Sequence, residues 1–151
     1  MEQGTSLKKD VIITIASQQD FEGCEPDHID LITTGRLYRR SGKYFVSYDE
    51  SELTGMQGTR TTLKLEGDQI TMTRTGTHPT QMLFAEHKRH VGLYQTEVGS
   101  LTISTHTSHL VNNIDENGGS LSIDYTVEID SNLAGTHRFE MAVTPSGAQP
   151  S

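Results

Sequence analysis

Between Gly99 and Asp130 the chain alternates apolar and polar residues with a period of two on both sides of Asn117-Gly118-Gly119. Leu101, Ile103, Thr105, Thr107, His109 and Val111 fall on one face before the turn, and Leu121, Ile123, Tyr125, Val127 and Ile129 on one face after it. Strict alternation over that length predicts two half-buried antiparallel strands, and Asn-Gly supplies the positive φ angles of a tight hairpin. A hairpin this long can bend and close a barrel.

The same period runs through the rest of the chain. A first strand is predicted over Lys8 to Gln18, with Val11, Ile13 and Ile15 in phase, then a polar loop, Gln19 to Asp27, that holds Cys24. A second strand covers His28 to Arg40, and Ser41-Gly42 turns it into a third, Lys43 to Glu50. After a loop over Ser51 to Gly58 comes a fourth strand, Thr59 to Leu65; Glu66-Gly67-Asp68 then turns into a fifth carrying Ile70, Met72 and Arg74. Pro79 cannot donate to a ladder and marks the break before a sixth strand, Thr80 to Ala85. Glu86 to His90 reads as a charged turn, Val91 to Thr96 as a seventh strand and Thr136 to Val143 as the last, stopped by Pro145. Residues 1–144 read as a single barrel domain and residues 145–151 as a disordered tail.

The count is nine or ten strands, with no 3.6-residue period and no long crossover of the kind a parallel sheet requires. Sequential hairpins leave exposed edges unless the sheet closes. The predicted fold is therefore all-β, an antiparallel up-and-down barrel of about eight to ten strands, with a two-sheet sandwich as the alternative. A length of 151 residues suits one well-cored domain, and the low apolar fraction of 32 % fits strands that carry Thr and Ser on a half-exposed face. The formal net charge of −8 argues against a general affinity for phosphate backbones or anionic lipid. No apolar run reaches membrane-spanning length, the N-terminus lacks the apolar core of a signal peptide, and one cysteine makes no internal disulfide. A cytoplasmic protein that does not engage membrane is expected.

Several short runs carry a resemblance. Thr33-Thr34-Gly35 followed by Leu37-Tyr38, the segment Tyr44 to Tyr48, and Thr61 with Arg74-Thr75-Gly76 are among them. Gly92-Leu93-Tyr94-Gln95-Thr96, Gly99, Thr105-His106-Thr107 and Ser122 to Tyr125 complete the set. In this order and spacing, from about Val11 to Val143, the chain resembles the YwiB-like family of bacterial proteins. The resemblance implies a calycin-like β-barrel, related in shape to lipocalins and fatty-acid-binding proteins. It implies no activity, since the family is a domain of unknown function, and no catalytic residue carries over.

Projecting the alternation onto a barrel predicts a lumen with an apolar end made of Val11, Ile13, Leu31, Leu63, Leu65, Ile70, Met72, Leu101, Ile103, Val127 and Ile129. Thr33, Tyr48, Thr61, Arg74, Thr105, Thr107 and Tyr125 continue the same faces. A guanidinium in phase with Ile70 and Met72 is costly to bury without an acceptor. Two readings follow. In the leading one, Arg74 anchors a small anionic or amphipathic ligand in the lumen, oriented by Tyr48, Thr61, Thr105, Thr107 and Tyr125. In the other, Arg74 pairs with Glu50 or another acid in a filled barrel, and a macromolecular partner, protein before RNA, meets the outer surface.

Other chemistry finds little support. His106 and His109 are three apart and belong on opposite faces of a regular strand, while His87 and His90 flank a turn with no four-ligand zinc spacing. Glu22, Glu25 and Asp27 around Cys24 oppose thiolate formation. No nucleophile elbow, metalloprotease helix or phosphate loop is present, so no catalytic residue, metal ligand or cofactor is expected, and the chain does not read as an enzyme. Arg36, Arg39, Arg40 and Lys43 cluster around the second hairpin with Tyr38 and Tyr44 interleaved. On so acidic a chain the default reading is a solvated rim, and nucleic acid is not the expected partner. Unpaired strand edges would support a homodimer, although no motif fixes one.

Overall fold

Ten strands make up a computed structural model of the chain, which describes residues 8–21, 25, 27–51, 57–76, 79–96 and 99–146. They are β1 (Lys8–Phe21), β2 (Asp27–Arg40), β3 (Lys43–Asp49), β4 (Thr59–Glu66), β5 (Gln69–Gly76), β6 (Thr80–Ala85), β7 (Arg89–Thr96), β8 (Gly99–Asp115), β9 (Gly118–Ile129) and β10 (Asn132–Pro145). All paired neighbours are antiparallel, in the order β6-β5-β4-β3-β2-β1-β10-β9-β8-β7. One continuous sheet replaces the sandwich alternative. The chain's first and last strands pair from Val11 opposite Pro145 to Phe21 opposite Gly135, and this ladder joins β1–β6 to β7–β10 in one sheet that curls into a nearly closed barrel. The seam falls between β6 and β7. There the turn is stitched to β8, with the His87 N–H donating to the Thr107 carbonyl (2.8 Å) and the Thr107 N–H to that of Lys88 (3.1 Å).

The strands form because every other residue is apolar and one face can be buried. Leu37, Val46, Leu63 and Ile70 are fully buried on β2 to β5, and Val11, Ile13, Ile123 and Met141 are buried on β1, β9 and β10. Burying each such side chain contributes about 1.5–3 kcal/mol. Gly35 sits in this face between Val11 and Tyr48. A Cβ there would lie 2.3 Å from the Ser47 carbonyl oxygen and 2.6 Å from Ile13 Cδ1, so the position admits no side chain.

The structure departs from the period-two expectation at β8. A bulge between Thr107 and His109 adds Ser108 to the strand, and the phase inverts beyond it. Leu110 and Ile114 turn inward, while His109 and Val111 face outward. His106 and His109 oppose Thr126 and Asp124, alternate residues of β9, so they share the outer face and are not on opposite faces. The apolar end moves as well. Leu101, Ile103 and Val127 are only half-buried and Ile129 is 38 % exposed. The apolar core instead gathers beyond the bulge, where Leu110, Ile114, Leu121 and Phe139 join Val11 and Ile13.

Turn chemistry also differs. In the long hairpin the positive φ angles fall on Gly118 and Gly119, and the Asp115 carboxylate accepts the Asn117 N–H at 2.8 Å. Ser41 and Gly42 are both left-handed, as a two-residue hairpin requires, and so are Asp130 and Ser131, a turn without glycine. β10 continues to Pro145, and the Ser146 N–H donates to the Asp10 carbonyl at 2.8 Å, so the ordered chain passes the predicted end of the domain. Cys24 and residues 147–151 of the predicted tail lie outside the described residues. Among the described residues no helix is long and apolar enough to cross a membrane.

Candidate functional site

The alternation of β3 carries one step past Tyr48 and points Glu50 into the lumen, held there as its N–H donates to the Thr59 carbonyl at 2.8 Å. Its carboxylate is 1 % exposed and accepts a hydrogen bond from the Thr61 hydroxyl. Arg74, opposite Thr61 in the β4–β5 ladder, brings Nε to 3.8 Å from Glu50 Oε2 and to 3.3 Å from Thr61 Oγ1. The cation in phase with Ile70 and Met72 thus has an internal acid. Burial, and then the Glu50 carboxylate, push the Tyr48 phenol above its ordinary range, partly opposed by Arg74.

A second group lies towards the seam. Phe84 of β6 meets the Tyr125 ring at 4.7 Å between centroids, and Tyr125 stacks on His137 at 4.9 Å and 8°. Burial raises the Tyr125 phenol to about 12, against the pull of Arg74, and lowers the His137 imidazole below its usual value. Thr105 and Thr107 are buried beside them, and the hydroxyls of Thr80 and Thr107 have no hydrogen-bond partner among the described residues. Of the lumen residues read from the sequence, Arg74, Tyr48 and Thr61 form one hydrogen-bonded layer with Glu50. Thr105, Thr107 and Tyr125 belong to the group at the seam, and Thr33 is half-buried opposite Ile13.

The outer face of β1 to β4 carries a groove of about 860 Å³. Since Leu37, Val46, Leu63 and Leu65 point inward, their neighbours point outward: Arg36, Tyr38, Arg40 and Arg60 line the groove with Lys8, and Lys43, Phe45 and Lys64 continue the same face beside it. Register sets Tyr38 opposite Phe45, and Phe45 opposite Lys64. The Tyr38 and Phe45 rings stack at 5.0 Å and 4°, and the Arg40 guanidinium lies 5.5 Å from the Tyr38 centroid. Three carboxylates answer these cations: Asp10 at 3.6 Å from Arg36, Asp49 at 2.9 Å from Arg60, and Glu66 at 3.3 Å from Lys43 and 3.7 Å from Lys64. Arg40 makes no ion pair among the described residues, and its contact is with the ring. Arg36, Arg39, Arg40 and Lys43 were legible as a cluster, although Arg39 turns to Glu116 at 3.7 Å; Lys8, Arg60 and Lys64 were not, because strand register brings them in.

Histidines elsewhere pair locally. His109 Nδ1 is 3.1 Å from Glu86 and His28 Nε2 is 2.9 Å from Asp30. Among the described residues no three His, Cys, Asp or Glu side chains converge as a metal cluster would.

With this geometry in hand, comparison with known proteins places the chain. The family profile of DUF1934, a domain of unknown function, matches residues 13–141. The chain belongs to this family. An uncharacterised β-barrel protein, YwiB of Bacillus subtilis (strain 168), is 25 % identical over 119 residues, which covers 79 % of this chain and 81 % of that protein. The crystal structure of the ywiB protein from Bacillus subtilis superposes with a TM-score of 0.76 at 18 % identity, covering 92 % of this chain and 93 % of that one. The likeness shows the β-barrel fold, and the resemblance read from the short runs is borne out.

Proposed function

We propose that this DUF1934 barrel is a non-enzymatic interaction module, filled at its centre, that presents the outer groove of β1 to β4 to an anionic macromolecule. The observation that carries this reading is the groove itself. Its lining sets five cations, Lys8, Arg36, Arg39, Arg40 and Arg60, against two carboxylates, Asp10 and Asp49, on a chain of formal net charge −8, with Tyr38 of a stacked aromatic pair in its wall. The Arg74–Glu50 pair lends support from inside. With a carboxylate 1 % exposed already held by a guanidinium and a hydroxyl, the polar layer of the lumen is neutral without any ligand.

One observation favours the lumen reading as a second. The hydroxyls of Thr80 and Thr107 are buried without partners among the described residues, and a small polar molecule beside Arg74 and Tyr125 would satisfy them.

Retention on immobilised heparin, a sulfated polyanion, separates the two. Wild type is expected to bind in spite of its net charge, Arg40→Glu/Lys43→Glu to flow through, and Arg74→Met to be retained as wild type is. Flow-through of the wild type, or retention of the charge reversal, would remove the groove from consideration.

A further inference from the structure

We infer that the occupant of the outer groove is a single-stranded nucleic acid, its bases stacking on the Arg40–Tyr38–Phe45 column and its phosphates on the flanking cations. The inference rests on the proposed reading of the groove and adds the partner's chemistry. Cations alone would suit any polyanion. The aromatic column is what distinguishes a partner with flat rings.

The column is built for addition at its ends. Tyr38 and Phe45 are already face to face, and the Arg40 guanidinium lies over the Tyr38 ring. Both planes accept a base: an aromatic ring stacks with any nucleobase, and a guanidinium does so equally well. Arg40, like Lys8, makes no ion pair among the described residues, so its charge is available to the sugar-phosphate chain as its plane meets a base. The remaining cations sit across β1 to β4, three strand spacings or about 14 Å, which is room for more than one phosphate. Thr34, Ser47 and Thr62 line the same groove and add neutral hydroxyl donors of the kind that commonly reach phosphate oxygens.

An acidic peptide is the competing occupant, and the observations favour it less. It would use the cations but gain nothing specific from parallel rings. Duplex is disfavoured too, because its bases are already stacked and cannot reach the column. The chain's acidic total is not decisive against phosphate. Charges farther away than a Debye length of about 8 Å at physiological salt are screened, so the local excess of cations governs the contact.

The test is fluorescence anisotropy on the full-length protein with labelled single-stranded RNA and DNA of mixed sequence, the matching duplex, and polyglutamate of matched charge. Both single strands are expected to bind more tightly than duplex or polyglutamate. With three phosphate contacts, affinity should fall roughly 15–20-fold as salt rises from about 50 to about 200 mM. Phe45→Leu, which keeps an apolar side chain but removes the ring, should cost roughly 5- to 100-fold for single strands and leave polyglutamate unaffected, with folding checked by circular dichroism. Equal affinity for duplex, or indifference to Phe45→Leu, would overturn the stacking. Polyglutamate binding as tightly as single strands would overturn the nucleic-acid inference while the groove stood as an anion surface. Binding of no polyanion at all would remove both.

Discussion

Replacing Arg74 by Met tests what the guanidinium does inside the barrel. The side chain is 21 % exposed, its partner Glu50 1 %, and they approach to 3.8 Å. Removing one member of a buried ion pair costs about 3–5 kcal/mol, because the other charge is left desolvated. Here the Thr61 hydroxyl still donates to Glu50, and Arg74 already meets some solvent, so the loss falls just below that range, about 2–3 kcal/mol. For a chain of this size each kcal/mol moves Tm by about 2–4 °C, giving an expected drop of roughly 5–10 °C. Adding Glu50→Gln removes the stranded charge, so the double variant should regain at least half of the loss, an interaction of about 1–2 kcal/mol. Urea and thermal unfolding of wild type, both single variants and the double variant at neutral pH supply the cycle. A loss below about 2 °C in Arg74→Met, or simple additivity, would refute the structural pairing.

Two further outcomes follow from particular residues. Gly35→Ala should destabilise by the upper part of the about 1–3 kcal/mol range typical of overpacking, since the Ser47 carbonyl 2.3 Å from the new Cβ is backbone and cannot yield; a Tm within error of wild type would contradict the register given to β2 and β3. His137, whose imidazole is held below its ordinary value by burial, resists protonation in the fold. The unfolded chain therefore binds more protons, and the contribution of His137 is complete above the unfolded value of about 6.5 and lost as pH falls below it. Tm of wild type should accordingly drop more than that of His137→Gln between about pH 7.5 and pH 5.5, and parallel curves would count against the burial.

Much of this barrel was legible along the chain, since alternation and turn residues are local signals. Thr80 to Ala85 was read to the residue, helped by Pro79, and the phase of Thr61, Leu63 and Leu65 matches their burial. Glu50 was named among the acids that could meet Arg74, but Asp49-Glu50 also read as an exposed turn; one step beyond Tyr48 points inward, and Glu50 is buried. The bulge at Ser108 was not legible. Nothing about a serine between Thr107 and His109 announces an extra residue, and the cost was an inverted face for His109, Leu110 and Val111. The Asp130–Ser131 turn was missed for a related reason, as two left-handed residues without glycine leave no mark in composition. The groove lay beyond local signals altogether. Lys8, Arg60 and Lys64 are distant in sequence from Arg40 and Phe45, and the registers of β1 to β4 bring them together.

Amide chemical-shift mapping of the isotopically labelled protein against a short single-stranded oligonucleotide shows where on the barrel binding occurs. Shifts confined to the outer positions of β2 to β4, centred on Tyr38, Arg40, Phe45 and Lys64, are the predicted result. Shifts centred on Thr105, Thr107 and Tyr125 would place binding in the lumen, and a spectrum that does not move would contradict the account.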